Sequence, residues 1–193
     1  AAILTITNNI FSNNATAATA TGLYYTIYNR GAVVNTININ NNNISGVTFT
    51  AATAVPFIGI YNLAGAATAS LSISNNDFSG INYSALSTAA NTYIINSAAT
   101  LSQFISSNTF TNLNVNTTGA IIFMSNSVIV PATGNQVVDD NSIVGTFTRP
   151  GTAASGALTL FTSSALNATG SVISNSNNDF SNITVSGAAT IAG

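Results

Sequence analysis

Apolar and polar residues alternate along this chain in short bursts, and the bursts recur. Six segments share one pattern, an alternating strand, then Asn, then Phe or Ile. They read LTITNNIFSN from Leu4, ININNNNISG from Ile37, LSISNNDFSG from Leu71, QFISSNTFTN from Gln103, QVVDDNSIVG from Gln136 and ISNSNNDFSN from Ile173. A period of two residues bounded by Asn, Gly and Ser predicts short β-strands. No helical period and no run of helix formers competes with it.

The anchors Phe11, Ile44, Phe78, Phe110, Ile143 and Phe180 stand 33, 34, 32, 33 and 37 residues apart. Two residues before each anchor is an Asn: Asn9, Asn42, Asn76, Asn108, Asn141 and Asn178. Five before it come Ile6, Ile39, Ile73, Ile105 and Val138, with Asn175 breaking the series. Ser or Thr follows the anchor in five of six units, and Asn or Gly comes next. A second apolar block then appears, as GLYYTIYN from Gly22, PFIGIYN from Pro56, TYIIN from Thr92, GAIIFMSN from Gly119 and GALTLF from Gly156.

One such unit cannot bury its own apolar face, whereas stacked units can. Parallel stacking sets equivalent positions one above another, about 4.8 Å apart. The expectation is an all-β, right-handed parallel β-helix of about six coils of ~33 residues. It forms a single domain over 1–193, uncapped at both ends, and reads as a segment of a longer fibre. Ile6, Ile39, Ile73, Ile105 and Val138 should form a core column, and the six Phe/Ile anchors a second. The six Asn should form a ladder, because Asn tolerates a left-handed corner and its amide can bond the next amide in the stack.

Composition narrows the function. Of 193 residues only six are charged, namely Arg30, Arg149, Asp77, Asp139, Asp140 and Asp179, and there is no His, Cys, Lys or Glu. Asn, Ser and Thr together supply 79 positions. Two arginines cannot displace the counterions of a nucleic acid. Zinc, iron–sulfur and haem sites want Cys or His, and the usual nucleophile triads want the same. No cofactor or metal is therefore expected, and no catalytic residue is assigned. No apolar run reaches about 18 residues, so no membrane span is expected. So little surface charge points to a secreted, cell-surface setting rather than the cytoplasm.

The alternating strand, the Asn corner and the Gly-Ala-Ile step resemble the β-helix repeats of bacterial surface proteins. Passenger domains of autotransporters, polymorphic outer-membrane proteins and the large repetitive adhesins of gliding bacteria are the similar families. Phe11-Ser12-Asn13-Asn14 matches the F-x-x-N motif of the polymorphic proteins. Gly119-Ala120-Ile121 and Gly156-Ala157-Leu158 match their G-G-A-[ILV] motif with one Gly missing, and the other anchors lack Asn at the third following place. The resemblance implies a non-catalytic structural or adhesive module of an extracellular fibre. Its partners would be further repeats of the same chain, other copies end to end or side by side, or glycans and cell surfaces. The alternatives are a polysaccharide-processing β-helix enzyme or tail-spike fragment, and a purely self-assembling filament subunit.

Individual residues add little to this. Asp77 and Asp179 share a phase but sit three coils apart, about 14 Å, too far for a paired acid and base, and read as Asx turns. Asp139 and Asp140 offer at most a partial calcium shell. Arg30 and Arg149 read as solvated loop residues. Thr-x-Thr pairs at Thr5, Thr48, Thr109 and Thr146 fall at different phases, which disfavours ice binding. Six N-x-[ST] sequons occur at about the chance frequency for this composition, and glycosylation stays unargued. Of the tyrosines, Tyr28 and Tyr61 lie 33 apart and would stack, although packing in the core or at an edge is the expected role for the six as a group.

Overall fold

The computed structural model describes residues 2–16, 22–150, 156–163, 167–186 and 191–192. Among them there is strand and turn and no helix, hence no helix long and apolar enough to cross a membrane. The strands form three parallel sheets wound into a right-handed β-helix, with six rungs and five turns between them. The first sheet holds Ile3–Thr7, Thr36–Asn40, Ser70–Ser74, Ser102–Ser106, Asn135–Asp139 and Val172–Ser176, each beside the next. The second is nucleated by Ile10–Ser12, Asn43–Ser45, Asp77–Ser79, Thr109–Thr117 and Ser142–Pro150. The third runs through Tyr24–Asn29, Phe57–Asn62, Asn91–Asn96, Ile121–Asn126, Leu158–Ser163 and Ile191–Ala192.

Register follows the repeat. Ile6 pairs with Ile39, Ile39 with Ile73, Ile73 with Ile105, Ile105 with Val138, and Val138 with Asn175. Phe11, Ile44, Phe78, Phe110 and Ile143 likewise follow one another, and Phe180 packs on the same core. The middle members of both columns are fully buried, while Ile6, Phe11 and Phe180 on the outer rungs are partly exposed. Phe78 stacks on Phe110 at 5.3 Å between ring centroids. Tyr93 wedges against Phe57, Phe78, Phe110 and Phe123, so one aromatic network ties the second sheet to the third. Each such pair adds about 1 kcal/mol beyond area burial.

The Asn ladder is continuous. Asn9 donates its backbone N–H and its Nδ2 to Oδ1 of Asn42, and the same two bonds run from Asn42 to Asn76, Asn76 to Asn108, Asn108 to Asn141, and Asn141 to Asn178. The second Nδ2 proton goes back one rung, from Asn42 to the carbonyl of Ile6, Asn76 to Ile39, Asn108 to Ile73, Asn141 to Ile105 and Asn178 to Val138. Every internal amide thus uses both protons and both lone pairs, which lets these side chains be buried without a desolvation penalty.

One detail differs from the sequence reading. The left-handed corner residue is the one before the ladder Asn: Asn8, Asn41, Asn75, Ser107, Asp140 and Asn177, with φ between 54° and 58°. A second left-handed corner falls two residues after each anchor, at Asn13, Gly46, Gly80, Asn112, Gly145 and Asn182. That is why Asn or Gly recurs there, since other residues pay to enter this region.

Asn108→Ala strips partners from Asn76, Asn141 and the Ile73 carbonyl at once, whereas Asn9→Ala touches an exposed position on the end rung. The first is expected to cost about 3 kcal/mol and the second under about 1 kcal/mol in urea denaturation. Equal losses would mean the ladder is not the buried, fully paired element described.

Candidate functional site: a polar outer face with a tyrosine cluster

The outward residues of the three sheets define three surfaces. On the first sheet one column is Thr5, Asn38, Ser72, Phe104, Val137 and Ser174, and on the second Asn43, Asp77, Thr109 and Ser142. The third sheet carries the tyrosines. One outward column is Tyr25, Ile58, Thr92, Ile122 and Thr159, and the other is Tyr28, Tyr61, Ile95, Ser125 and Thr162. At its first two rungs Tyr25 and Tyr28 stack at 4.5 Å, and Tyr28 and Tyr61 at 5.2 Å with planes 12° apart. Tyr28 is 38% exposed, and the Arg30 guanidinium lies 5.7 Å from its ring centroid. Loss of solvent, and after it the neighbouring Tyr28 and Tyr61 phenols, push the Tyr25 hydroxyl above its ordinary range.

The six tyrosines therefore divide. Tyr83 and Tyr93 are fully buried in the core, Tyr24 is half-buried against Phe49 and Phe57, and Tyr25, Tyr28 and Tyr61 stand outside. Burial pushes the Tyr83 and Tyr93 phenols well up. The phase shared by Tyr28 and Tyr61 was visible in the sequence, and the structure adds Tyr25 to the stack.

Arg149 is not a solvated loop residue. Its side chain is 0% exposed, with Nε donating to the Thr117 carbonyl at 3.0 Å, one terminal nitrogen to Gly156 at 2.6 Å and the other to Gly119 at 2.8 Å. All three acceptors are backbone carbonyls, and burial draws its pKa down. The pocket depends on two stacked glycines. A Cβ on Gly156 would sit 2.5 Å from the Gly119 carbonyl carbon, and one on Gly119 would strike the Ala89 carbonyl. The Gly-Ala-Ile and Gly-Ala-Leu steps are thus close backbone approaches that also aim two carbonyls at a guanidinium. Arg30 stays exposed.

The carboxylates do not converge. Asp179 makes the expected Asx turn, accepting from the Ser181 N–H at 3.0 Å, and the Ser181 hydroxyl and N–H hold its carboxyl below the ordinary range. Asp77 departs from that reading, because its Oδ1 accepts from Thr109 and Thr111 of the neighbouring rung. Asp139 and Asp140 assemble with no third ligating side chain among the described residues. Two polar lines were missed. Asn29, Asn62, Asn96 and Asn126 form a second buried ladder, each Nδ2 donating to the next Oδ1 at 2.7–2.9 Å. Its signal was present in the recurring Tyr-Asn, Tyr-Asn, Ile-Asn and Ser-Asn endings of the second block. Gln103 and Gln136, which interrupt an apolar column, are buried and bonded to each other at 3.0 Å.

Comparison with known protein families gives no match, and neither curated proteins nor solved structures include a chain that matches this one.

Two outcomes follow. Arg149→Lys keeps the charge but loses the planar fork, and should cost about 2 kcal/mol in urea denaturation. Unchanged stability would place the side chain in solvent. Separately, the unfolded chain ionises its phenols near pH 10 while Tyr83 and Tyr93 stay neutral in the fold, so the folded state holds more protons there. Stability should be indifferent to these groups below that pH and fall as pH rises past it. Phenolate absorbance rising fully before the loss of β-structure would contradict their burial.

Proposed function

We propose that this chain is a non-catalytic structural and adhesive segment of an extracellular, cell-surface fibre, working by reach, stiffness and repeated weak contact. The observation that supports this reading best is the continuous register of the stack, which brings Asn, Ser and Thr side chains to the outer face on one rung after another. The rungs are joined by backbone ladders and by Asn108 and its counterparts through the whole described stack. Such a body resists bending because its hydrogen bonds run along the axis at every turn. The outer Asn, Ser, Thr and Tyr side chains offer many weak hydrogen bonds at about 4.8 Å spacing. One rung binds little, and many binding at once gain by effective concentration. Partners of this kind are glycans, cell surfaces, and rungs of the same type in this chain or another copy.

The reading is tested by presenting the protein singly and then at high density on beads, over glycan-coated and cell surfaces. Dense display is expected to raise apparent affinity at least about 100-fold. Equal binding in both formats, or measurable cleavage of pectin or alginate by the protein, would overturn it.

A further inference from the structure

The outer tyrosine cluster is a poor sugar platform, because ring–ring contact occupies the faces a sugar would need. Tyr28 has Tyr25 at 4.5 Å and Tyr61 at 5.2 Å, both nearly parallel, and Arg30 over the ring at 5.7 Å. What the geometry does favour is chemistry between the rings themselves.

We propose that Tyr28 and Tyr61 are a site of oxidative coupling that joins the first two rungs by a dityrosine bond. The two residues sit on adjacent strands in direct register, so both phenols are held together without any loop having to move. Tyr28 is accessible to an oxidant. The chain has no cysteine, so a disulfide cannot supply a covalent tie between coils, and a dityrosine closes a loop of comparable length to many disulfides. In the reaction each phenol loses one electron and one proton to give a tyrosyl radical. The two radicals join through ring carbons ortho to the hydroxyls, and the two ortho C–H protons are lost as aromaticity returns while both phenol hydroxyls are restored. In sum one C–C bond forms and two hydrogen atoms leave. The oxidant is hydrogen peroxide acting through a haem peroxidase, and it takes up those two hydrogens to become two waters. This inference rests on the stacked geometry and is independent of the adhesive reading.

The sequence supplies a clean assay. Trypsin cuts after Arg30 and is blocked at Arg149 by Pro150, giving fragments 1–30 and 31–193. The dilute folded protein is treated with horseradish peroxidase and peroxide, then digested under denaturing conditions. The expected result is that the two fragments stay covalently joined, with dityrosine fluorescence and a mass lower by two hydrogens. Tyr28→Phe and Tyr61→Phe, which keep the stacked ring and so the fold, should each release the fragments, and Tyr25→Phe should not. Fragments that separate in the wild type, a link confined to multimers, or a link that survives Tyr61→Phe would each overturn the proposal. A link lost in Tyr25→Phe but kept in Tyr28→Phe would overturn the assigned pair.

Discussion

Everything in this molecule depends on keeping one residue in register with its counterpart a turn away. A parallel stack repeats at about 4.8 Å, so a side chain has the same position of the next coil as its nearest axial neighbour. A slip of one residue would turn every core side chain outward. The Asn ladder is the device that forbids it. Asn76 receives two bonds from Asn42 and gives two to Asn108, and its remaining proton reaches back to Ile39. No other residue type presents a donor pair and an acceptor pair in one plane at that reach. A slipped register would leave four buried polar groups unpaired at each rung, a cost that outweighs the small differences in apolar packing.

Because register is pinned at the ladder, the rest of the coil is free to vary. Coil lengths run from 32 to 37 residues, yet the anchors still align. Among the described residues, part of the variation is taken up by register shifts inside the second sheet, between Tyr83 and Ser87 and between Thr111 and Leu113, and part in connections, since Asn126 to Asn135 is longer than Asn96 to Ser102. The two left-handed corners bracket the anchor and aim it inward, so Phe78 and Phe110 meet face to face whatever the connecting loops do. The second ladder from Asn29 to Asn126 repeats the device at the edge of the third sheet.

Legibility in the sequence followed periodicity. The ladder and the anchors recur in all six coils and the core column in five, so alignment of six segments revealed them. The second ladder was equally periodic but followed a variable-length connection, and its Asn residues looked like turn punctuation. Arg149 was illegible for a different reason. It occurs once, and a lone cation in a polar chain reads as surface. Only the convergence of carbonyls from Thr117, Gly119 and Gly156 makes burial affordable, and that convergence exists only in three dimensions. The outer tyrosines were half visible, since Tyr28 and Tyr61 share a phase while Tyr25 joins them from a different column.

The same register constraint accounts for the unusual composition. A charge at a repeated position would face its own copy about 4.8 Å away, a repulsion of about 0.9 kcal/mol per contact even in water and several times more against a protein surface. Summed over the rungs this would exceed the margin by which a domain is stable. Neutral amides and hydroxyls in the same column attract instead, because each is both donor and acceptor. The charges that do occur respect this rule. Asp77 lies between Asn43 and Thr109, Asp139 between Ser106 and Ser176, and Arg149 beside Val185. No carboxylate is paired in register with another carboxylate among the described strands. Scarcity of charge is thus what building by stacking favours.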